Sequence, residues 1–248
     1  TIMLLKSKTE DNFSFHSTQL TKFFTSQRDV LFETLSYTSL RGINSFSLLP
    51  KVNSGTEISI YNKLFSDTQT IASYQCQNSN YKLFYSYGLR YWAKVLDKPT
   101  YFEGENASKS TGEKELCLIN KNDIELIGSA LSSSLFYWYY VTTSDAHNFT
   151  KHIIYSFPIK SFKSHQLTEI FRSYQNDLER KAKLKTAYYK GTGKIAYKEY
   201  FIRESKPIID QIDTVLADHY GFTPEELDFI INYDIKYRMG KELEGDEG

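Results

Sequence analysis

Apolar residues recur at helical spacing in five stretches of the chain, and polar or glycine-rich segments separate them. Ile58, Tyr61, Leu64, Phe65, Thr68, Ile71 and Ala72 predict a helix near 55–72, opened by a capping box in which Ser54 accepts a backbone N–H and Glu57 reaches back. The same capping pattern at Asn122–Glu125 opens a second helix on Ile124, Ile127, Leu131, Leu135 and Trp138, ending near Val141. Residues Ser164–Ala187 carry the stripe Leu167, Ile170, Phe171, Tyr174, Leu178 and Ala182, with basic residues in the last turn that suit the negative end of the helix dipole. A helix started by Ser205-Lys-Pro207 and a second one opened at Thr223 are expected to form a helical hairpin. Ile208, Ile209, Ile212, Val215, Leu216 and Tyr220 line the first arm, Gly221 ends it, and Thr223-Pro-Glu-Glu226 is a capping box with proline in the first helical position.

Strand patterns are shorter. Tyr81–Leu96 reads as two strands around Ser86-Tyr87-Gly88, and Lys114–Asn120 as one more. Thr1–Leu5 is an apolar run of strand length, and residues 1–50 read as mixed strand and loop. Residues 104–113 are Gly- and Ser-rich and read as a mobile loop, and Gly191-Thr192-Gly193 breaks the chain again. The expected fold class is α+β: a mixed-sheet lobe over 1–160, a helical region over 161–240 that ends in the hairpin, and a disordered acidic tail over 241–248.

At 248 residues with 40% apolar and 24% charged side chains, the chain is long enough to bury a real core. No apolar run is long enough to span a membrane and no signal peptide is visible, so a cytoplasmic location is expected. Position 1 is not Met, which fits a fragment. Cys76 and Cys117 are expected to be reduced core thiols. Net charge is zero, but it is unevenly spread. Residues 177–206 hold nine Lys/Arg against four Asp/Glu, and residues 207–248 hold three against eleven. A phosphate-binding protein needs only a local positive face, and the acidic C-terminal segment hides a mildly basic body.

Catalytic patterns are missing. The five prolines Pro50, Pro99, Pro158, Pro207 and Pro224 are never adjacent, which excludes an Asn/Asp-Pro-Pro-aromatic loop for a flipped base. Gly191-Thr-Gly-Lys194 lacks the partners of a Walker loop, since Tyr188 and Ile195 stand where Gly and Ser/Thr are required. His147 and His152 lack the spacing of a zinc protease, and no metal site is expected.

Three stretches carry a resemblance: Ser132–Asn148 (SSSLFYWYYVTTSDAHN), Ser156–Ile159 (SFPI) and Glu204–Gly240. Together with Leu48–Val52 and Gly88–Val95, they resemble the C-terminal target-recognition region of bacterial DNA adenine-N6 methyltransferases of restriction–modification systems, of the type II and type IIG class. In that family an apolar helix rich in small residues and aromatics leads into a Ser-Asp-Gly-like loop and then a Phe-Pro strand; here Ala146 stands where relatives often carry Gly. The resemblance implies a parent with an S-adenosylmethionine-dependent catalytic domain N-terminal to this chain. This chain would then select sequence on double-stranded DNA, with no catalytic residue and no cofactor of its own.

On that reading Lys51, Asn53, Arg90, Lys94, Ser144, His147, Asn148 and Lys151 are the expected DNA contacts. Arg90 and Lys94, placed on one hairpin strand and sharing a face, would read guanine and hold phosphate, and Asn148 would read adenine. Each is also legible as a solvated surface group. Tyr137, Trp138, Tyr139 and Tyr140 read either as a stacking platform or, for Trp138 at least, as core. The basic, tyrosine-interleaved segment Arg180–Arg203 reads either as a phosphate track or as a solvated helix end. The rival reading of the whole chain is a scaffold that docks on a methyltransferase or another partner subunit. An enzyme of another type would require a deep pocket with converging polar groups.

Overall fold

The computed structural model describes residues 4–6, 14–21, 28–43, 49–66, 69–159, 162, 165–191 and 193–240. The chain is α+β, with three antiparallel sheets of three strands and a cluster of packed helices. Strands β1 (Leu4–Lys6), β2 (Ser14–Ser17) and β3 (Thr38–Ser39) form the first sheet, with the short helix α1 (Leu31–Thr34) before β3. Helix α2 (Gly55–Leu64) follows. Strands β4 (Lys82–Ser86), β5 (Val95–Leu96) and β7 (Glu113–Cys117) make the second sheet in the order β5-β4-β7. The intervening strand β6 (Phe102–Gly104) leaves it to join β9 (Gly193–Glu199) and β8 (Lys183–Tyr189) in the order β6-β9-β8. The remaining helices are α3 (Asn122–Ser132), α4 (Ser134–Thr143), α5 (Lys151–Tyr155), α6 (His165–Lys181), α7 (Lys206–Tyr220), α8 (Pro224–Asn232) and α9 (Ile235–Arg238).

Helix α4 is the centre of the core. Every residue from Ser134 to Thr142 is buried, so its sequence shows no polar stripe, as expected of a helix surrounded on all sides. Phe136 packs against Phe149 and Phe157 with ring centroids 5.4 and 5.2 Å apart, and Tyr139 meets Phe157 at 5.0 Å. Burying each such ring stabilises the fold by about 1.5–3 kcal/mol. Tyr137, Trp138, Tyr139 and Tyr140 are all buried. Trp138 is core as expected, and the stacking-platform reading of this run is overturned, because no ring face is left for a base.

The helix expected from 122 to 141 is two helices. Ser133 is extended at the junction (φ −75°, ψ 158°), and its hydroxyl accepts from Phe136 N at 2.9 Å. The next two free amides, of Ser134 and Leu135, donate to the Asp213 carboxylate at 3.2 and 3.1 Å. A buried anion at the positive end of α4 satisfies groups that would otherwise be orphaned. Burial pushes the Asp213 carboxyl up to about 6.

Three further expectations change. Helix α2 ends at Leu64, and Ile71 and Ala72 lie in a separate 3-10 turn at Ile71–Tyr74. The capping box that opens α2 is present: Glu57 N donates to Ser54 Oγ at 3.2 Å and Asn53 N to Glu57 Oε2 at 2.9 Å. Helix α6 ends at Lys181 rather than Ala187, and residues 183–199 form a β-hairpin within the region expected to be helical. Pairing with β9, itself paired to β6, outweighs the helical stripe there. Cys76 and Cys117 are free but half-buried, not core, with Cys76 N donating to the Cys117 carbonyl at 3.1 Å.

The C-terminal hairpin matches its sequence reading. Gly221 adopts φ +67° at the end of α7, where a left-handed residue is needed, and Thr223 and Glu226 form the reciprocal capping box. Ile209, Ile212, Val215, Leu216 and Ile230 are buried. The 241–248 tail and residues 1–3 lie outside the described residues. Among the described residues no helix is long and apolar enough to cross a membrane.

Candidate nucleic-acid interface

Two loops meet on one side of the second sheet. Residues 87–94 connect β4 to β5, and residues 144–150 connect α4 to α5. Gly88 and Asn148 form an antiparallel bridge, and Phe149 N donates to the Tyr87 carbonyl at 2.9 Å. The backbones of the two loops are therefore joined although some sixty residues separate them in sequence.

The turn at 144–148 is built by its own side chains. Ser144 Oγ donates to the Tyr140 carbonyl at 2.6 Å and accepts from Ala146 N at 3.0 Å. Asp145 Oδ1 accepts from His147 N and Asn148 N at 3.0 and 3.4 Å, and these bonds hold its carboxyl below the usual range. Ala146 sits at φ +54°, a left-handed conformation that glycine takes without penalty.

Lys51 enters this turn from below. Its backbone N–H donates to the Thr142 carbonyl at 2.8 Å, and its ammonium donates to the Ser144 carbonyl. A cation at the C-terminal end of α4 is favourably placed against the helix dipole. Burial pushes the Lys51 amine down, with Asp145 opposing that shift. Lys51 therefore serves as a support for the loop. Asn53 has a similar engagement, its side-chain amide donating to Ser36 Oγ at 3.1 Å.

Arg90 and Lys94 do not share a strand. Both lie in the 87–94 connection, because β5 begins only at Val95. The connection bulges outward instead of forming a tight hairpin, and Trp92 pins it: its indole Nε1 donates to the Arg238 carbonyl of α9 at 2.9 Å. Arg238 is itself buried, its guanidinium 3.8 Å from the Trp92 ring centre and 4.7 Å from that of Tyr137. Lys94 turns away from Arg90 and donates to Glu113 at 3.1 Å and Thr100 Oγ1 at 2.7 Å. It faces an open cleft of about 590 Å³ between the second and third sheets, bordered by Gly88, Phe102, Glu113, Tyr189 and Tyr197.

On the joined loops the side chains of Tyr87, Arg90, Asp145 and His147 are exposed, and Lys151 is exposed at the start of α5. Arg90 has no acidic partner among the described residues. It borders a shallow groove with Tyr91, Trp92, Phe201 and the exposed Arg203. From sequence Arg203 was expected only as the end of the basic Arg180–Arg203 segment, not as a neighbour of Arg90. It is 113 positions from Arg90, and only the fold brings them to one groove. Of the eight expected contacts, the structure gathers Lys51, Ser144, His147 and Asn148 with the Arg90 loop. It places Lys151 at the start of α5 and turns Lys94 toward the cleft.

No group of three or more His, Cys, Asp and Glu side chains among the described residues is arranged to hold a metal ion. Comparison with protein-family models, with curated proteins and with solved structures finds no match to this chain.

Proposed function

We propose that this chain is a sequence-recognition module for double-stranded DNA. On this reading it serves a site-specific adenine methyltransferase of a restriction–modification system whose S-adenosylmethionine-dependent catalytic domain lies outside the residues given. The observation that carries the reading is the junction of the 87–94 and 144–150 loops through Gly88 and Asn148. It puts Arg90, a donor suited to a guanine edge, on one surface with the Asn148 and Lys151 segment. The left-handed Ala146 and the Lys51 support give that surface a fixed backbone, which base readout requires.

Anisotropy titration with a labelled duplex at low salt tests the reading. Binding is expected, with Arg90→Ala/Lys151→Ala weakening it by roughly tenfold and reducing the salt dependence by about one phosphate equivalent, that of Lys151. Absence of binding to any duplex at low salt would remove the proposal.

One observation favours the docking reading for a different face. Asp218, Glu225 and Asp228 are exposed on the α7–α8 hairpin and repel phosphate. That face suits a protein neighbour such as the catalytic domain. Co-purification of the chain with such a domain, lost on Glu225→Lys/Asp228→Lys, tests it.

A further inference from the structure

Between residues 180 and 198 the chain carries seven Lys/Arg and no Asp/Glu. The structure folds most of this run into the β8–β9 ribbon. Register pairs Leu184 with Lys198, Thr186 with Ala196 and Tyr188 with Lys194, and all six side chains fall on one face. The opposite face, with Ala187, Ile195 and Tyr197, turns toward the body. The outward face is open: Tyr188 is 77% exposed and Leu184 66%.

Some of the run's charge is answered locally. Arg180 and Lys181 pair with Asp177, Lys185 with Glu199 and Lys198 with Glu179. Lys183, Lys190 and Lys194 have exposed side chains with no acidic ion-pair partner among the described residues, and they lie at the two ends of the ribbon. Glu103, opposite Ala196 and therefore on this same outward face, and Glu105, which accepts from Lys194 N, mark the β6 margin, so the positive side of the ribbon is its β8 edge. Seven residues of strand extend roughly 20 Å, the length of about six base pairs.

We propose that the β8–β9 ribbon is a second DNA-contacting element. It lays its Leu184–Thr186–Tyr188 face into the major groove of a duplex while Lys183, Lys190 and Lys194 grip the flanking phosphates. An antiparallel pair of strands fits that groove, here led by the unpaired edge of β8 because β6 occupies the other edge of β9, and tyrosine beside lysine suits contact with a charged backbone carrying flat bases. Strand addition by a protein partner is the poorer match, because lysines along an edge strand oppose pairing with another chain. The inference rests on the DNA-recognition reading and deepens it by adding a second contacting element. It stands on separate residues.

The test measures duplex affinity of the 248-residue chain between about 50 and 200 mM salt. Lys183→Ala/Lys190→Ala/Lys194→Ala is expected to lower affinity by about tenfold or more and to flatten the log–log salt slope by about 2–3. Tyr188→Ala is expected to lower affinity without changing the slope, because an uncharged contact releases no counterion. All substituted side chains are exposed, and an unchanged melting temperature shows that folding is intact. Wild-type affinity and slope in the triple variant would overturn the ribbon proposal. If Arg90→Ala/Lys151→Ala binds normally while the ribbon variants do not, the loop surface fails and the ribbon stands. The reverse pattern sinks the ribbon alone. An acidic peptide that protects the β8 amides, in a chain that binds no duplex, would assign the edge to protein pairing and overturn the proposal.

Discussion

Helix α4 and the β8–β9 ribbon are both rich in aromatics, and the fold treats them in opposite ways. In α4, Phe136 through Tyr140 lie among Leu, Val, Ser and Thr, and all five rings are buried. In the ribbon, Tyr188 and Tyr189 stand between Ala187 and Lys190, with Lys183 and Lys185 earlier on the strand, and both are exposed. Aromatic content therefore does not separate a stacking surface from a core. The neighbours do: small and apolar residues on every side of a helix allow burial, whereas Lys183 and Lys185 on the edge strand and Lys190 just after it keep the backbone in water.

The largest effect that would sharpen this contrast is Trp138→Ala. It removes a fully buried ring whose Nε1 donates to Glu57 at 3.3 Å, and the expected loss is about 3–5 kcal/mol by denaturant unfolding. A loss below about 1 kcal/mol would show that α4 is not the centre of the core.

Asp213 gives a pH-dependent test of the same helix. Its folded carboxyl sits at about 6, above the ordinary value of about 4. Its contribution to stability is therefore fully present below pH 4 and lost as pH rises through 6. Asp213→Asn has no such titration. Wild-type stability relative to Asp213→Asn is expected to fall by about 2–3 kcal/mol between pH 4 and pH 7. A flat difference would mean the carboxylate is solvated.

Gly128→Ala is expected to cost about 1–3 kcal/mol, since a Cβ there would press into the Phe171 ring where α3 meets α6. Calorimetry checks it, and an unchanged transition would show a loose α3–α6 contact. The smallest effect belongs to the ribbon. Tyr188→Ala is expected to change stability by less than about 0.5 kcal/mol, and a loss as large as that at Trp138 would break the contrast outright.

The residues of the two joined loops were partly legible in the sequence. Ser144, His147 and Asn148 do share one turn, because an Asx-type turn at Asp145 is a local matter of side chains bonding amides two and three residues on. Arg90 and Lys94 were placed together by strand spacing and are apart, because Trp92 is drawn to Arg238, 146 residues away. Lys51 looked like a phosphate ligand and is a buttress, since α4 ends above it. Arg203 was legible only as the end of a basic run, and nothing near it in sequence tied it to Arg90.

Local chemistry alone determined the helix starts at Ser54 and Thr223, the stop at Gly221 and the α+β character, because capping and side-chain periodicity act within four residues. Tertiary structure decided the rest: the break at Ser133, the strand at 183–189, the burial of Tyr137–Tyr140 and the joining of Gly88 to Asn148. Each of these depends on a partner distant in sequence, such as Asp213 for the break and β9 for the strand. The free energy of such pairing outweighs the few tenths of a kcal/mol per residue by which one local conformation is preferred over another.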